Sequence, residues 1–260
     1  MNNSIIILDY GSQYTQLIAR RIRELNVHSI ILPYDCSSKE LEKYNIKGII
    51  LSGGPSSVYQ KDAPGLPSGI FKYKVPVLGV CYGFQLLIEH SNGKVISSSK
   101  AEYGQSKINI VAKSKLFDNI SKETAVWMSH GDKVNSLSDD WNITSKSENN
   151  IISSSENYSK NLYGVQFHPE VMHTIEGHKI IKNFLFHICN VIDNWNSKNF
   201  VKDTIQNIKQ ETKGEKVLCA LSGGVDSTVV AVLLSKALGD NVQCIFIDHG
   251  MLRKNEAKDV

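Results

Sequence analysis

The hydrophobic positions follow two different patterns along the chain, and the first of them occupies residues 1–93. Apolar runs of strand length, without alternating polar positions, occur here at 5–8, 27–32, 46–51 and 75–80. Continuous apolar runs are typical of strands buried on both faces, so this part predicts a parallel sheet covered by helices. Between the first two runs, apolar residues at steps of three and four predict a helix. These residues are Tyr14, Ile18, Ile22 and Leu25.

The second pattern begins near residue 94, where shorter segments alternate apolar and polar positions and are joined by polar turns. The alternating segments are 107–112, 125–129, 143–145, 151–153 and 162–167. Alternation of this kind predicts antiparallel strands, so we expect a mixed sheet in which an antiparallel part extends the parallel one. A helix is then predicted over 174–192, because four apolar residues share one face. They are Ile181, Phe184, Ile188 and Ile192.

A polar stretch with a weaker helical stripe separates this region from a second one. The stripe consists of Val201, Ile205 and Ile208. We therefore predict a first domain over 1–193, a linker helix over 194–214 and the beginning of a second domain over 215–260.

The last region has the pattern of a single strand–helix–strand unit. Strands are predicted at 217–221 and 242–247, and the helix between them stops at Gly239, a residue typical of the position after a helix end. One such unit hardly buries a core, so we interpret the chain as a fragment of a longer protein.

Composition narrows the class of protein. The chain has 260 residues and a net charge of +3, which is too small to favour binding to nucleic acid or to a membrane surface. No apolar run approaches the roughly 20 residues that span a bilayer, and the N-terminus lacks the pattern of a signal peptide. The five cysteines form no CxxC pair. This predicts reduced thiols, a cytoplasmic location and no zinc site.

The first candidate for chemistry is a cysteine between two glycines, at the end of a predicted buried strand. Gly79, Cys81 and Gly83 have the G-x-nucleophile-x-G form of a nucleophile elbow, with a helix predicted from Phe84. A helix N-terminus favours the reactive thiolate, and the N–H of Tyr82 is then suited to bind an oxyanion. Taken alone, a cysteine in this setting is as often a small core residue.

The second candidate lies far downstream. His168 and Glu170 are two residues apart, and in an extended segment such side chains point the same way. The carboxylate then orients the imidazole, and the imidazole serves the thiol, as in a Cys-His-Glu triad. An isolated His-Pro-Glu is usually a turn. Its occurrence together with the cysteine elbow and the glycine loop at 52–55 favours the triad.

"GVCYGFQ", "FHPE" and the upstream "LSGGP" together resemble the class I glutamine amidotransferase family over residues 4–193. The resemblance implies that Cys81 is the nucleophile, His168 the general base and acid, and Glu170 its orienting partner. It implies hydrolysis of glutamine to glutamate and ammonia through a thioester, without a cofactor for this half.

The same resemblance implies further roles. The oxyanion hole would be formed by the N–H groups of Gly53 and Tyr82. The glutamine-binding residues would be Gln85, Ser129, His130 and Gly131; without the resemblance, His130 is interpreted as a histidine of a surface loop. One departure is visible, because the family's Arg-Glu-Tyr-Gly is Ala101-Glu102-Tyr103-Gly104 in this chain. The resemblance therefore assigns no role to an arginine here.

A second glycine loop joins the strand and the helix of the last region. Its glycines allow close approach of a ligand, and the helix N-terminus faces an anion. The loop lacks the lysine of a P-loop. It resembles the pyrophosphate-binding loop of N-type ATP pyrophosphatases, which have a Rossmann-like, adenine-nucleotide α-hydrolase-like fold. The resemblance implies an ATP-binding set made of Ser222, Gly223, Gly224, Val225, Asp226, Ser227 and Thr228.

Asp226 has two interpretations, because a carboxylate is a poor direct partner of a phosphate. It acts through Mg²⁺, or it only caps the helix. No other metal ligand is predicted.

The combination of the two motifs selects among the families that share the second loop, which include NAD, asparagine and argininosuccinate synthetases. The asparagine enzymes need a cysteine directly after the initiator Met, and residue 2 is Asn. An amidotransferase followed by SGGVDS resembles the glutamine-hydrolysing GMP synthetases, ligases of purine biosynthesis. The segment 246–256, "FIDHGMLRKNE", resembles their next strand and loop, and we assign no role to His249.

This resemblance implies three substrates, glutamine, ATP with Mg²⁺, and XMP, and a homodimer for the full-length protein. Ammonia made at Cys81 would displace AMP from adenylated XMP to give GMP. We expect that the 260-residue chain alone does not make GMP.

Two other hypotheses remain open. A stand-alone glutaminase subunit would supply ammonia to a separate synthetase, and would not bind ATP. An idle binding or regulatory module would be insensitive to Cys81→Ala.

Overall fold

The computed structural model describes residues 3–193, 195–248, 250, 252 and 255–259. The chain divides into two compact units, Met1–Asn194 and Trp195–Val260. Parts of two predicted segments lie outside the described residues. These are Asn194, at the start of the predicted linker, and His249, Met251, Arg253 and Lys254 within 246–256.

The described part of the first unit is built around a nine-stranded mixed sheet. Its strands are β1 (Asn3–Asp9), β2 (His28–Pro33), β3 (Asn45–Leu51), β4 (Val77–Val80), β5 (Lys94–Ile110), β6 (Glu123–Ser136), β7 (Asn142–Ser147), β8 (Ile152–Asn157) and β9 (Leu162–Val165). Its α-helices are α1 (Thr15–Glu24), α2 (Ser38–Leu41), α3 (Tyr82–His90) and α4 (Gly177–Asn183). The spatial order of the strands is β2-β1-β3-β4-β9-β8-β7-β5-β6.

The parallel part of the sheet contains the strands that were predicted from continuous apolar runs. β2, β1, β3, β4 and β9 are parallel neighbours. Along β1, Ile5 and Ile7 belong to the core on one face, and Ile6 and Leu8 to the core on the other. Both faces are buried, which is why polar alternation is missing from these runs.

The antiparallel part continues through β9, β8, β7, β5 and β6. The prediction that 162–167 belongs to the antiparallel part is correct for only one of the two neighbours of β9. β9 pairs antiparallel with β8 and parallel with β4, so it is the strand at which the two parts meet. All four of its residues are buried, as in the parallel strands.

β5 and β6 are longer than the predicted strands 107–112 and 125–129. Burial alternates along β6 as far as Val134, but the two buried positions between Met128 and Val134 are polar, His130 and Asp132. Because these inward-facing positions are polar, the sequence shows no alternation of hydrophobic and polar residues there, and the strand was predicted too short.

The helix predicted over 174–192 is shorter in the structure. α4 begins at Gly177 and is followed by one π-helical segment, Phe184–Ile188. Three predicted core residues of this helix, Ile181, Phe184 and Ile188, are buried, whereas Ile192 is 62% exposed. Thr174 lies before the helix, where its side chain bonds the backbone of other segments.

The second unit contains a parallel strand–helix–strand unit. Its helices are α5 (Ser197–Thr212), α6 (Val225–Leu238) and α7 (Glu256–Asp259), and its strands are β10 (Val217–Leu221) and β11 (Val242–Phe246). β10 and β11 are parallel, and α6 ends directly before Gly239, as predicted. α5, the predicted linker helix, packs against α6. The exact domain limits stay a prediction.

The fold class predicted from the sequence is confirmed: a mixed α/β sheet covered by helices, followed by one βαβ unit. None of the helices in the described parts of the chain is long and apolar enough to cross a membrane.

Candidate active site

The candidate site lies at one edge of the sheet, where the parallel strands β1, β3, β4 and β9 end. The carboxyl ends of parallel strands meet at the same edge, and the loops that follow them gather there. Backbone hydrogen bonds tie these loops together. Ser52 N–H donates to Leu8 O (3.0 Å), Cys81 N–H to Val165 O (2.8 Å) and Gly83 N–H to Ser52 O (3.1 Å). Four segments distant in sequence are therefore held against each other.

Cys81 occupies the turn between β4 and α3 in an unusual backbone conformation, with φ 51° and ψ −106°. A non-glycine residue with positive φ is strained, and such strain is common at functional turns. The flanking glycines allow the turn to be tight, because a Cβ added at Gly79 would lie 2.5 Å from the backbone of Gly83 and one at Gly83 would clash with Leu51. The predicted elbow geometry is thus present.

His168 and Glu170 form a buried pair beside this turn. His168 Nδ1 lies 2.8 Å from Glu170 Oε1, and the two residues are 4% and 1% exposed. Their segment is a turn after β9 and not the extended strand that the prediction assumed. The turn at Pro169, rather than the alternation of a strand, brings the two side chains together.

The charge state of His168 follows from its neighbours. Burial alone lowers the pKa of this imidazole, but the carboxylate of Glu170 and hydrogen bonds with Cys81 and Glu170 outweigh it and raise the pKa to about 10. At neutral pH the ring therefore holds a proton between the carboxylate and the sulfur.

Several residues that hold this pair were missed by the sequence analysis. Thr174 Oγ1 donates to His168 O (2.6 Å) and accepts from Trp127 N–H (3.0 Å). Arg21 Nε donates to Glu170 O (3.0 Å), and the ring of Tyr14 meets that of His168 edge-on at 5.1 Å. Tyr14 was predicted only as part of a helical stripe. No local pattern marks such contacts, because each joins segments that are far apart in sequence.

Gly53 lies against both candidate catalytic side chains. A Cβ built on Gly53 would stand 3.1 Å from His168 Cε1 and 3.6 Å from Cys81 Cβ. The chain at Gly53 therefore lies beside both Cys81 and His168, and Tyr82 follows Cys81 directly at the start of α3. Among the hydrogen bonds of the described residues, neither Gly53 N–H nor Tyr82 N–H has a protein acceptor. This is the arrangement expected of two donors for an oxyanion.

Two cavities meet at Cys81. One, of about 310 Å³, is bordered by the loop after β1, by Cys81 and by His168. The other, of about 330 Å³, lies over the first turn of α3 and the middle of β6. The lining of the second cavity includes every residue predicted to bind glutamine. They are Gln85, Ser129, His130 and Gly131.

These four residues are not alike in their surroundings. The buried Gln85 Nε2 donates to Asp132 O and to Gln166 Oε1, both at 3.1 Å. Ser129 O lies 3.6 Å from Cys81 Sγ. His130, interpreted from the residues alone as a histidine of a surface loop, is instead 4% exposed within β6, so that interpretation was wrong.

Further polar residues that were not predicted lie in or beside the wall of this cavity. Asp132, which lines it, accepts a hydrogen bond from Tyr59 Oη (2.7 Å), a residue of the loop after β3. Gln166 Nε2 lies 3.7 Å from Cys81 Sγ. Gln166 precedes the "FHPE" motif by one residue, and only its neighbourhood in sequence was a signal.

The second glycine loop, between β10 and α6, lies in the other unit. Gly224 is the N-cap of α6, and Gly223 has φ 77°. The loop hydroxyls bond within the loop itself: Ser227 Oγ lies 3.0 Å from Ser222 Oγ, and Thr228 Oγ1 donates to Gly224 O (2.9 Å). The hydroxyls thus define the shape of the loop, and their bonds do not use the backbone N–H groups of residues 225–227 at the start of α6.

Comparison with known proteins agrees with both motifs. Residues 6–188 match the family model described as glutamine amidotransferase class-I, and residues 196–260 match the one described as NAD synthase. A glutamine-hydrolyzing GMP synthase of Bacillus cereus strain B4264 is 49% identical over 259 residues, which are 100% of this chain and 51% of that protein. The chain spans about half the length of the curated relatives it matches.

Solved structures give the same result. A candidate GMP synthase subunit from Thermoplasma acidophilum has a TM-score of 0.63 and 29% identity, over 78% of this chain and 98% of that one. A glutamine amidotransferase from Thermotoga maritima has a TM-score of 0.54 at 18% identity, over 92% of this chain and 100% of that one, and shares the fold. Because the amidotransferase model alone matches more than half of the chain, the protein belongs to the class I glutamine amidotransferase family.

Proposed function

We propose that this chain hydrolyses L-glutamine to glutamate and ammonia. Cys81 is the nucleophile, His168 the general base and acid, and Glu170 the residue that orients His168. The observation that carries the proposal is the convergence of the strained turn at Cys81, the buried His168–Glu170 pair and Gly53 at one edge of the sheet. A merely structural cysteine does not require this backbone conformation.

The proposed reaction begins when the Cys81 thiolate attacks the side-chain amide carbon of glutamine. The oxyanion that forms accepts hydrogen bonds from Gly53 N–H and Tyr82 N–H. His168, whose pKa is raised to about 10, gives its proton to the nitrogen, which leaves as ammonia. Water, deprotonated by His168, then attacks the thioester and releases glutamate. One glutamine and one water thus give one glutamate and one ammonia.

The substrate would lie in the cavity over α3 and β6. Its side chain points at Cys81, and its amino and carboxylate groups face Ser129, His130 and Gly131. Gln85 contributes from the floor of the cavity, where its amide is fixed by Asp132 and Gln166. The amino and carboxylate groups of glutamine would find polar partners in this cavity, which is lined mostly by polar groups.

We further propose that the ammonia is used for GMP synthesis in a protein longer than this chain. The support is the name of the Bacillus cereus relative, identical at 49% of positions over the whole chain, and the match of 196–260 to a second family. ATP would bind with its pyrophosphate on residues 222–228, XMP would be adenylated and then aminated to GMP, and the longer protein would be a homodimer.

Mg²⁺ would accompany ATP. A nucleotide-bound Mg²⁺ takes one or two carboxylates together with phosphate oxygens and water, and Asp226, exposed in the first turn of α6, fits this pattern. Within the described ranges no group of three or more acidic, histidine or cysteine side chains is placed to hold a metal ion by itself. The ion would supply charge neutralisation of the phosphates, and Asp226 would position it.

A stand-alone glutaminase subunit is the second candidate function. It is favoured by the likeness to the Thermoplasma acidophilum protein, which covers 78% of this chain and 98% of that one. The match of 196–260 to the NAD synthase model favours the two-activity protein instead, because a glutaminase subunit has no use for a pyrophosphate loop.

The test of the first proposal is the release of glutamate from glutamine by the 260-residue chain and by its Cys81→Ala variant. The matched control is Cys244→Ala, because Cys244 is an exposed cysteine of the other unit. We expect loss of activity in Cys81→Ala alone. Equal glutamate release by both variants would exclude Cys81 as the nucleophile, and absence of release by the unchanged chain as well would favour the idle binding module.

A further inference from the structure

The pairing of β5 with β6 is interrupted beside the glutamine cavity. Ser97 pairs with Asp132, and the next pair along the ladder is Glu102 with His130. Four residues of β5, 98–101, therefore stand against Gly131 alone. An insertion of this kind disrupts the ladder locally, so Gly131, which lines the cavity, has no partner in the register of β5 and β6.

The carboxylate of Glu102, the first paired residue of β5 after this interruption, contacts both β6 and the end of β7. Its Oε2 lies 3.2 Å from His130 Nε2, a direct polar contact that lacks the alignment of a hydrogen bond. Its Oε1 accepts hydrogen bonds from Ser147 Oγ (2.8 Å) and Asn149 Nδ2 (2.9 Å) at the end of β7. Glu102 is 6% exposed and His130 4% exposed, so these contacts are shielded from water.

The imidazole of His130 connects this carboxylate with the cavity wall. His130 Nδ1 lies 2.8 Å from Asp132 O, and the same carbonyl accepts from Gln85 Nε2 at 3.1 Å. A series of polar side-chain contacts thus connects Ser147 and Asn149, through Glu102 and His130, with the wall of the cavity. Burial raises the pKa of Glu102, but its polar contacts with His130, Asn149 and Ser147 outweigh this and lower the pKa, as expected of a carboxylate with several donors.

We infer that Glu102 is a positioning residue for substrate binding: through His130 it fixes the 129–132 segment of β6 in the form that glutamine needs. Neither Glu102 nor its partners Ser147 and Asn149 line either cavity. The inference rests on the proposed glutamine cavity.

Three substitutions distinguish the position of the polar atoms of residue 102 from their charge. They are Glu102→Gln, Glu102→Asp and Glu102→Ala. Glutamine keeps an oxygen for Ser147 and Asn149, and its amide N–H can donate to His130 Nε2 while Nδ1–H bonds Asp132 O. Aspartate keeps the charge but is one methylene too short to reach both sides. Glu148→Ala, in an exposed residue next to Ser147, is the matched control.

The experiment measures labelling of Cys81 in the 260-residue chain by two reagents, followed by mass spectrometry. A chloroketone analogue of L-glutamine reports on the cavity through its half-saturating concentration. Iodoacetamide, which needs no cavity, reports on the thiol alone. If labelling of the unchanged chain by the analogue does not saturate, the proposed glutamine site itself is wrong. This outcome is seen before any variant is compared, so it is distinct from a failure of the role of Glu102.

We expect Glu102→Ala and Glu102→Asp to raise the half-saturating concentration about tenfold or more, as loss of bonds to a charged group does. Glu102→Gln and Glu148→Ala should stay within about threefold, and the iodoacetamide rate should stay unchanged in all four. The inference is overturned if Glu102→Asp binds the analogue better than Glu102→Gln, or if iodoacetamide labelling falls in parallel. Should Glu102→Ala not fold, the comparison of Asp with Gln decides alone.

Discussion

His168 Nδ1 lies 2.8 Å from Oε1 of Glu170, and both side chains are almost completely buried. The second carboxylate oxygen of Glu170 has no hydrogen-bond partner among the described residues. The charge of this carboxylate is thus directed at one imidazole. A buried charge with a single partner is costly, and its main effect is to hold that partner's proton.

The first prediction concerns Glu170→Gln. We expect glutaminase turnover to fall by about 10²- to 10⁴-fold, because the ring loses the group that fixes its tautomer and its proton. The pKa of His168, raised to about 10 in the unchanged chain, should fall towards or below its ordinary value, since burial then acts with less opposition. NMR titration of the histidine ring measures this change.

The same shift predicts a dependence of stability on pH. A histidine whose pKa is raised on folding contributes stability that is fully present below its unfolded pKa of about 6.5. That contribution is lost as pH rises through about 10. Glu170→Gln should therefore destabilise the protein more near pH 7 than above pH 10, in chemical denaturation. Glu215→Gln, an exposed residue of the other unit, is the control. An unchanged His168 titration in Glu170→Gln would contradict the prediction.

The parts of the fold that were predictable are those with a local signal. The parallel strands follow from apolar runs such as 46–51, since burial on both faces leaves no polar position. The elbow at Cys81 follows from its two glycines, because each prevents a backbone clash within a few residues or with the next strand.

The unpredicted parts depend on contacts between distant segments. His130 and Asp132 occupy inward positions of β6, where polar residues obscure the alternation of a strand. Thr174 was assigned to a helix, yet its hydroxyl joins His168 to Trp127. Hydrophobic periodicity carries no information on which polar side chain meets which backbone group across the sheet.

Gly53→Ala tests the closeness of Gly53 to the reacting atoms. The added methyl would lie 3.1 Å from His168 Cε1, so the ring or the loop must move by a few tenths of an ångström. We expect a loss of about 10² in kcat/KM with the fold retained, because small misplacements of reacting groups are costly. Steady-state glutamate release measures it.

Gly65→Ala is the matched control for this prediction. Gly65 belongs to the same long loop after β3, and a methyl there meets nothing within 4 Å. It should leave kcat/KM unchanged. Activity of Gly53→Ala equal to that of Gly65→Ala would show that Gly53 is not part of the reacting centre.

Cys81 offers a test of backbone strain. Its φ of 51° with ψ −106° is unfavourable for any residue with a Cβ. The free energy of unfolding of Cys81→Gly should therefore exceed that of Cys81→Ala by about 1 kcal/mol, although both variants are expected to be inactive. Urea denaturation of Cys81→Gly and Cys81→Ala gives the difference. At Cys189, which has φ −79°, the order should be reversed, with alanine the more stable by about 1 kcal/mol. Alanine more stable than glycine at both sites would mean that the turn at Cys81 carries no strain.

The last prediction concerns the loop at 222–228. Ser227 Oγ lies 3.0 Å from Ser222 Oγ and donates to Gly224 O at 3.1 Å, so Ser227→Ala removes the bonds that shape the loop before α6. We expect the affinity for pyrophosphate and for Mg²⁺-ATP to fall about tenfold in calorimetry. Both ligands should slow hydrogen exchange at 222–228 in the unchanged chain. Ser235→Ala, an exposed serine of the same helix, should bind as the unchanged chain does. Absence of protection by either ligand would count against the ATP site and favour the stand-alone glutaminase, since that hypothesis predicts a loop that binds no pyrophosphate.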